Sequence, residues 1–258
     1  MNPVRIGICG LGTVGGGTYK LLTDTATVIA ARAQTAVEVV HVGARRDNPG
    51  CDLGATRVSR DIFDVVRDPD VDIVVELIGG TDTARELVSE ALGNGKHVVT
   101  ANKALIAEFG NELFQLAREQ GVSLRYEAAV AGGIPIIKAL REGLAGNRIE
   151  WLAGIINGTT NFILTEMRDK GRDFADVLAE AQALGYAEAD PTFDVEGIDA
   201  AHKLVILAAL AFGMPLQMKA VYTEGITQLT PEDVEYASEL GYRIKHLGIA
   251  RQSEAGVE

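Results

Sequence analysis

This sequence of 258 residues contains few cysteines, and its basic residues are fewer than its acidic ones. Its two cysteines, Cys9 and Cys51, form no Cys-x-x-Cys pair, so neither a disulfide framework nor a cysteine-based metal site is expected. Cys9 lies in an apolar run and Cys51 in a polar loop, and we interpret both as passive thiols. The 36 acidic residues outnumber the 24 basic ones and give a formal net charge of -12. Because this average field repels a polyanion, nucleic acid is not an expected partner.

Long apolar runs are missing as well. The most apolar stretch, 204–216, is shorter than the roughly 20 residues of a membrane span and contains Gly213 and Pro215. The N-terminus enters a short apolar strand without the basic segment and cleavage site of a signal peptide. With 47% hydrophobic and 23% charged residues, the composition is typical of a globular protein. We therefore expect a soluble, cytoplasmic protein with no membrane partner.

The first half of the sequence alternates short runs rich in Val and Ile with helical segments. The predicted strands are Val4–Cys9, Val37–Val42, Val71–Ile78, His97–Thr100 and Ser123–Tyr126. The predicted helices include Gly15–Ala33, Thr83–Asn94 and Asn111–Gln120. This alternation indicates βαβ units and a parallel sheet. We therefore predict an α/β protein with a Rossmann-type dinucleotide-binding domain over residues 1–130.

After about residue 130 the order of the elements becomes mixed. The predicted helices are Pro135–Gly143, Asn161–Lys170, Phe174–Leu184, Gly197–Phe212 and Pro231–Ala237. The predicted strands are Ile149–Ile156 and Ile244–Ala250, followed at 255–258 by the opening of a hairpin partner. These elements indicate an α+β substrate and dimerisation domain over residues 131–258. We expect this domain to be truncated, because the sequence ends inside a predicted hairpin.

A glycine-rich segment, Gly10-Leu-Gly12-Thr-Val-Gly15, follows the first predicted strand and opens a helix. This is the G-x-G-x-x-G fingerprint, and its position between a strand and a helix is typical of dinucleotide-binding proteins. Gly10 permits the tight turn, Gly12 lets the backbone approach a pyrophosphate, and Gly15 lets the helix pack against the strand. With Thr13 and Val14 in the first helical turn, these residues predict a dinucleotide site at the helix N-terminus.

The second strand indicates which dinucleotide is bound. An NAD-selective site is expected to carry an acidic residue at the tip of this strand, for the ribose 2′-hydroxyl. Here the strand leads instead into Arg45 and Arg46, whose guanidinium groups suit a 2′-phosphate. The alternative is a solvated charge pair with the adjacent Asp47. We favour NADP, while NAD remains open.

Two lysines are candidates for the chemistry. Lys103 follows the strand His97–Thr100, where ligands of a parallel sheet gather, although a surface lysine is an equal alternative. Lys203 lies four residues after Asp199, on the same face of an apolar helix. A lysine on such a rigid, partly desolvated support could exchange a proton with a substrate.

The approach to that helix is rich in carboxylates. Five of them lie between Glu188 and Asp199, and a solvated acidic cap of the helix is the simplest alternative to a site. Their spacing does not match a calcium-binding EF-hand, and no Cys or His stands at zinc-ligand spacing. The segment Asn157-Gly-Thr-Thr160 could hold a substrate group, or Thr160 could simply be a helix N-cap. The residues by themselves indicate an NADP-dependent oxidoreductase acting on a small charged substrate.

Five segments together resemble homoserine dehydrogenases. They are Gly-Leu-Gly-Thr-Val-Gly at 10–15, Thr-Ala-Asn-Lys-Ala-Leu at 100–105, Tyr-Glu-Ala-Ala-Val-Ala-Gly-Gly-Ile-Pro-Ile-Ile at 126–137, Asn-Gly-Thr-Thr-Asn-Phe-Ile-Leu at 157–164, and the segment 184–203. The resemblance spans essentially the whole chain. It implies NAD(P)H-dependent reduction of L-aspartate 4-semialdehyde to L-homoserine, a step in threonine, methionine and isoleucine biosynthesis.

The resemblance also implies roles for individual residues. Lys203 is the expected proton donor or acceptor at the substrate oxygen, and Lys103 is a second lysine beside the nicotinamide and substrate. Gly185 is expected near the nicotinamide. The residues expected to bind or line the substrate are Thr159, Tyr186, Glu188, Asp194 and Asp199. A structural sodium site is expected from the carboxylate of Glu127 and the carbonyls of Val130, Gly132 and Ile134.

The family normally continues beyond the point at which this sequence ends, so we expect a fragment or a shortened chain. By resemblance we also expect a homodimer formed through the second half. One alternative function is another reductase of aspartate metabolism, which shares the fingerprint but is not expected to carry the segments at 157–164 and 184–203. Another is an NADP-binding sensor without turnover.

Overall fold

The structure, a computed structural model, describes residues 2–258 and divides into two compact units. The first unit ends at Ile136 and the second comprises Ile137–Glu258. The strands of the first unit are β1 (Val4–Cys9), β2 (Val37–Gly43), β3 (Arg57–Ser59), β4 (Ile73–Glu76), β5 (His97–Thr100) and β6 (Leu124–Arg125). Its helices are α1 (Thr13–Asp24), α2 (Ala26–Ala33), α3 (Phe63–Arg67), α4 (Asp82–Gly93) and α5 (Lys103–Glu119), followed by a 3-10 turn at Glu127–Ala129.

The six strands form one parallel sheet in the order β3-β2-β1-β4-β5-β6. This is the strand order of a doubly wound dinucleotide-binding fold, so the predicted fold class is confirmed. The register pairs Cys9 with both Gly43 and Glu76, and Glu76 with Thr100. The carboxyl ends of the four central strands therefore meet at one edge of the sheet, where such folds bind their ligands.

Buried aliphatic side chains hold this sheet. Ile8, Val42 and Val74 are completely buried, and each such burial contributes about 1.5–3 kcal/mol relative to exposure. The β-branched runs seen in the sequence are therefore the core of the unit, as expected for strands that are covered on both faces.

The predicted helix Gly15–Ala33 is wrong in one respect, because the structure divides it into α1 and α2 at Thr25. The hydroxyl of Thr25 donates to the carbonyl of Leu21 at 2.6 Å, and that of Thr23 donates to the carbonyl of Tyr19 at 3.1 Å. Threonine hydroxyls that bond back to carbonyls of the preceding turn bend helices. This competition explains why the helix is interrupted.

Helix α5 begins at Lys103, eight residues before the predicted start at Asn111. Asn102 caps the helix, since its side chain accepts a hydrogen bond from the backbone N–H of Leu105 at 3.1 Å. Gly110, the residue before the predicted start, is a buried residue inside the helix. Strand β3 and helix α3 were not predicted, because their three and five residues are too few to show a periodicity.

A buried polar cluster attaches the edge strand β3 to the rest of the first unit. His41 is 1% exposed, and its ring nitrogens lie 2.7 Å from Asp68 Oδ2 and 2.8 Å from Ser59 Oγ. Asp68 also accepts a hydrogen bond from Arg57 at 2.8 Å. Lys96 donates to the carbonyl of Asp68 at 2.7 Å. Strand β3 is thus held by side chains as well as by its three residues of pairing with β2.

The second unit combines helices with a small antiparallel sheet. Its helices are α6, which runs over Ile136–Lys138 and continues as a π turn at Ala139–Gly143, α7 (Gly158–Lys170), α8 (Phe174–Ala183), α9 (Thr192–Val195), α10 (Ile198–Phe212) and α11 (Pro231–Glu239), with a 3-10 turn at Met218–Ala220. The sheet has the order β7-β8-β9, formed by β7 (Trp151–Gly154), β8 (Gly248–Ser253) and β9 (Gly256–Val257). The predicted hairpin at the end of the sequence is confirmed by β8 and β9.

The strand predicted over Ile244–Ala250 begins later, at Gly248. Pairing with β7 starts at Gly248, which packs so closely on Ile156 that a Cβ there would lie 2.6 Å from a side-chain carbon. The preceding residues bond to α7 instead, as Lys245 donates to Asn161 Oδ1 at 2.8 Å. Side-chain contacts with a helix therefore replace strand pairing over residues 244–247.

Within residues 2–258, none of the helices is both long enough and apolar enough to cross a membrane.

The buried cluster leads to a prediction about Asp68. Burial opposes ionisation, but hydrogen bonds from the Asp70 backbone and from His41, and the charge of Arg57, hold the pKa of Asp68 below its usual value. We expect Asp68→Asn to lower the free energy of unfolding by about 2–3 kcal/mol at pH 7, because the hydrogen-bond donors around this position lose their buried anionic acceptor. Urea titration of both proteins measures this difference.

The same linkage fixes the pH dependence. A carboxylate whose pKa is lowered by folding contributes its full stability above the unfolded value, and this is lost as the pH falls through the lower folded value. The difference between wild type and Asp68→Asn should therefore shrink below about pH 4. Asp70→Asn, at a carboxylate that is 61% exposed, is the matched control and should cost less than 1 kcal/mol. Equal losses in the two variants would contradict this role of Asp68.

Candidate active site

The glycine loop of the first unit is built as the fingerprint requires. Gly10 has a φ of +100°, and a Cβ at this position would lie 2.5 Å from the carbonyl oxygen of Leu77. At Gly15, a Cβ would lie 2.0 Å from the carbonyl oxygen of Gly10. Only glycine fits either position, so the start of α1 can lie directly over the end of β1. Around Gly12 the space is open, which leaves room for a ligand to approach the backbone.

The loop forms one wall of a cleft of about 970 Å³ in the first unit. The exposed Gly12 is the N-cap of α1 and brings no side chain to the helix end, and the first turn carries no acidic residue. Thr13 and Val14 are exposed in that turn, and Thr13 also lines the cleft. The free N–H groups and the positive end of the helix dipole therefore face an open space that suits a pyrophosphate.

Arg45 and Arg46 are exposed and line the same cleft at the tip of β2. Asp47, the alternative partner considered for them, accepts a hydrogen bond from Arg60 at 2.8 Å. Arg60 also donates to the carbonyl of Ala44 at 3.2 Å, so it supports the segment that carries the two arginines. Arg60 was not predicted as a site residue, because it follows the unpredicted strand β3.

The carboxyl ends of β4 and β5 contribute the next residues. Lys103 is the first residue of α5 and is half-buried. The preceding Asn102 donates from its side-chain amide to the carbonyl of Gly80 at 2.6 Å. Glu76, which the sequence analysis missed, is completely buried at the end of β4. Burial raises the pKa of the Cys9 thiol, and the charge of Glu76 adds to this effect, so Cys9 is a protonated and inert thiol.

In the second unit, Lys203 is held by two acceptors. Its Nζ donates to the carbonyl of Ile156 at 2.8 Å and to Asp199 Oδ2 at 2.5 Å. Asp199 is only 3% exposed, whereas the Lys203 side chain is 20% exposed. The predicted face of α10 that carries both residues is thus formed, and the ammonium remains accessible at a rigid support.

Asn157 links this pair to a second carboxylate. Its side-chain amide donates to Asp194 Oδ1 at 2.7 Å and to Asp199 Oδ2 at 2.9 Å, while its oxygen accepts from the backbone N–H of Thr160 at 2.8 Å. The N-cap of α7 is therefore Asn157, and the alternative that Thr160 caps the helix is wrong. An Asn between the predicted strand Ile149–Ile156 and a helical run is a capping signal that the sequence contains. The sequence pattern does not indicate that this Asn contacts two carboxylates.

The other expected substrate residues are distributed around this network. Thr159 donates to the carbonyl of Tyr186 at 2.8 Å, and the Tyr186 ring packs edge-on against Phe162. Gly185 and Glu188 are exposed in the turn after α8. The carboxylate of Glu188 makes no hydrogen bond within residues 2–258, so the structure does not join it to the Lys203 network.

The acidic segment before α10 is not a metal centre of carboxylates in this structure. Among residues 2–258, no group of three or more His, Cys, Asp or Glu side chains is arranged to hold a metal ion. Two of the five carboxylates, Asp194 and Asp199, are instead engaged by Asn157. They act as hydrogen-bond acceptors, not as the solvated helix cap that was the simplest alternative.

The expected sodium segment lies in the first unit after β6. Glu127 opens a 3-10 turn, and the backbone then turns sharply at Ala131 (φ 49°) and Gly133 (φ 88°). The carbonyl of Ile134 accepts a hydrogen bond from the N–H of Ile136 at 2.8 Å. A carbonyl oxygen has a second lone pair, so this bond is compatible with binding a hard cation.

Comparisons with known proteins agree in both units. The model for the NAD-binding domain of homoserine dehydrogenase matches residues 10–127, and the homoserine dehydrogenase model matches residues 135–258. The chain is 69% identical to the homoserine dehydrogenase of Pseudomonas aeruginosa over all 258 residues, which cover 59% of that protein. The unit that contains the glycine loop is therefore a nicotinamide-dinucleotide-binding domain.

Solved structures give the same result. A homoserine dehydrogenase from Thiobacillus denitrificans matches with a TM-score of 0.95 and 64% identity, over 100% of this chain and 60% of that one. A hyperthermophilic archaeal homoserine dehydrogenase in complex with NADPH matches with a TM-score of 0.78 and 28% identity, over 99% of this chain and 80% of that one. The chain spans between 57% and 60% of the length of the curated relatives it matches. Because the matches run through both units without interruption, this chain belongs to the homoserine dehydrogenase family.

Proposed function

We propose that the chain catalyses the reduction of L-aspartate 4-semialdehyde to L-homoserine with a reduced nicotinamide cofactor. The observation that carries the proposal is the network of Asn157, Asp199 and Lys203, which holds an accessible ammonium group in a fixed direction. The homoserine dehydrogenase model matches the unit in which this network lies.

Lys203 is the proposed proton donor. A lysine ammonium has three N–H donors, and two of them are directed to Ile156 and Asp199. The third is available to a carbonyl oxygen of the substrate. The bound cofactor supplies the hydride to the aldehyde carbon. Lys203 transfers its proton to the oxygen that gains negative charge, so that the product is released as an alcohol.

The carboxylates of the second unit suit a substrate that carries an ammonium group. We infer that Glu188 and Asp199 bind homoserine, with Asp194, Tyr186 and Thr159 lining the pocket and Gly185 near the nicotinamide. The exposure of Glu188 leaves its carboxylate free for an ammonium group. Lys103, half-buried at the start of α5, is the proposed second lysine of the proton path.

For the cofactor we propose NADP in preference to NAD. Arg45 and Arg46 line the cleft and form no salt bridge within the described residues, since Asp47 pairs with Arg60. Guanidinium groups bind a phosphate in bidentate geometry, which suits the 2′-phosphate that distinguishes NADP. The archaeal homoserine dehydrogenase in complex with NADPH supports the same choice. Binding of NAD is compatible with the same cleft.

We also propose a sodium ion at the carboxylate of Glu127 and the carbonyls of Val130, Gly132 and Ile134. Oxygen ligands are those that hard cations prefer. The support in this structure is the sharply turned backbone at Ala131 and Gly133, which changes the direction of successive peptide groups.

A homodimer through the second unit is the proposed assembly. Alternate residues of β7 and β8 leave one face of the small sheet open, with Trp151 62% exposed and Ile249 53% exposed. The opposite face, with Gly248 and Ala250, is buried. The open face also carries the exposed Arg251 opposite Trp151, and the large apolar side chains beside it favour association with a second copy.

The reaction is tested by following L-homoserine oxidation through the absorbance of the reduced nicotinamide. We expect the 258-residue chain to turn over, and Lys203→Ala to lose at least about 100-fold in kcat, because a positioned proton donor contributes that much. Lys203→Arg should lose as much, since a guanidinium keeps the charge but does not release a proton. Lys219→Ala, at an exposed lysine of the same unit, should keep wild-type turnover. NADPH binding without turnover in the unaltered chain would contradict the proposed reaction.

The cofactor proposal predicts a change in selectivity. Replacing both Arg45 and Arg46 by alanine should weaken NADPH binding about 10- to 100-fold more than NADH binding, because hydrogen bonds between charged groups are lost only with NADPH. Fluorescence titration with each nucleotide gives the ratio of the two affinities. Arg32→Ala, at an exposed arginine of α2, serves as the control. An unchanged ratio in the double variant would show that the two arginines do not bind the phosphate.

The dimer proposal predicts that Trp151→Glu lowers the association of the chain. Sedimentation equilibrium should give twice the mass of the chain for the wild type and the monomer mass for this variant, because a charge on the apolar face must be desolvated on association. Tyr236→Glu, at a ring that is 63% exposed on α11, should remain dimeric. A monomeric wild type, or an intact dimer with Trp151→Glu, rejects this face as the interface.

A further inference from the structure

Glu76 is a buried carboxylate to which the proposed mechanism gives no role. It is the last residue of β4 and has no exposed surface. A carboxylate in such a position is costly unless donors surround it, so its contacts show what it holds.

Two donors reach Glu76, one from the loop after β4 and one from the last residue of β5. The backbone N–H of Ile78 donates to Oε1 at 2.9 Å, and the hydroxyl of Thr100 donates to Oε2 at 2.5 Å. The Thr100 hydroxyl itself accepts from the backbone N–H of Asn102 at 2.9 Å. Because a hydroxyl has one proton, its direction toward Glu76 is fixed.

These bonds join the loop after β4 to the loop after β5. Asn102 completes the connection, since its side-chain amide donates to the carbonyl of Gly80 at 2.6 Å. The first loop contributes Leu77, Ile78 and Gly79 to the wall of the cofactor cleft. The second loop ends at Lys103, the first residue of α5.

We infer that Glu76 is a positioning residue of the cofactor site, which fixes the Leu77–Gly80 loop and the start of α5 relative to one another. This inference rests on the proposed function, because it takes NADPH as the ligand of the cleft and Lys103 as a site residue. Glu76 itself acts through the two loops and is not assigned a contact with the cofactor.

The chemistry of the site requires a carboxylate, and glutamine does not replace it. Glu76 accepts hydrogen bonds at both oxygens, from Ile78 and from Thr100. A glutamine whose oxygen accepts from Ile78 turns its amide toward Thr100. The Thr100 hydroxyl then faces two donors, the amide and the Asn102 N–H, and its own proton loses its acceptor. Glu76→Gln therefore breaks the connection while it keeps the shape of the side chain.

The test is a double-mutant cycle read out by NADPH affinity, which does not depend on turnover. We expect Glu76→Gln to weaken NADPH binding about tenfold, as for the loss of one hydrogen bond to a charged group. Thr100→Val, which removes the hydroxyl and keeps the shape, should have a similar effect. The NADPH affinity of the double variant should lie within about twofold of that of either single variant, because both changes break the same connection. Thr100→Ser, which restores the hydroxyl, should return the affinity to within about twofold of wild type.

The controls distinguish a positioning role of Glu76 at the cofactor site from a role in stability alone. Glu86→Gln, the same substitution at an exposed position of α4, should leave NADPH affinity and Tm unchanged. In turnover assays Glu76→Gln should lower kcat with little change in the KM for homoserine, and it should lower kcat much less when Lys103 is already alanine. A purely structural role would change Tm without this dependence on Lys103.

Unchanged NADPH affinity in Glu76→Gln, or additive losses in the double variant, would overturn the inference. So would a Thr100→Ser variant as weak as Thr100→Val. Failure of homoserine turnover in the unaltered chain is a separate result, since it rejects the proposed reaction while the affinity series still decides the role of Glu76.

Discussion

The parallel register of β1, β2, β4 and β5 is the constraint on which the cofactor site depends. Parallel strands end at the same edge, and here the register aligns Cys9 with Gly43 and with Glu76, and Glu76 with Thr100. Each of these residues is followed by a loop that forms or supports the cleft. A slip of one residue in any strand would turn its side chains to the opposite face and separate these loops. The geometry of the site is therefore a consequence of backbone pairing within the sheet.

Both units secure their loops with a buried polar side chain, which lies at the end of β4 in the first unit and three residues after β7 in the second. Glu76 accepts from Ile78 and Thr100 after β4, and Asn157 joins Asp194, Asp199 and Thr160 after β7. A satisfied hydrogen bond adds only about 1 kcal/mol, but an unsatisfied buried group costs about 1–3 kcal/mol. A loop conformation that leaves one of these buried groups unpaired therefore costs more free energy than the native hydrogen bond contributes. This cost keeps the loops in their native conformations.

The parts of the fold that were predicted correctly are those with a local pattern. Strands β1 and β5 were predicted with their observed bounds, and the G-x-G-x-x-G segment was placed correctly between β1 and α1. The errors occur where local patterns compete or are too short. Thr25 divides a helix that the apolar pattern continues, and β3 has only three residues. The predicted strand at Ile244–Ala250 failed because Lys245 bonds to α7, a contact between residues 84 apart in the sequence.

Local sequence set the strand and helix periodicity, the glycine fingerprint and the spacing of Asp199 and Lys203 on one helical face. These features depend on residues within a few positions of one another, where the geometry of the chain is set by local rules. Packing across each unit set two further features. Asn157 bridges two carboxylates that lie 37 and 42 residues away, and Glu76 accepts a hydrogen bond from the hydroxyl of Thr100 at a separation of 24 residues. Such pairs depend on strand register and helix packing across the unit, which local sequence does not encode.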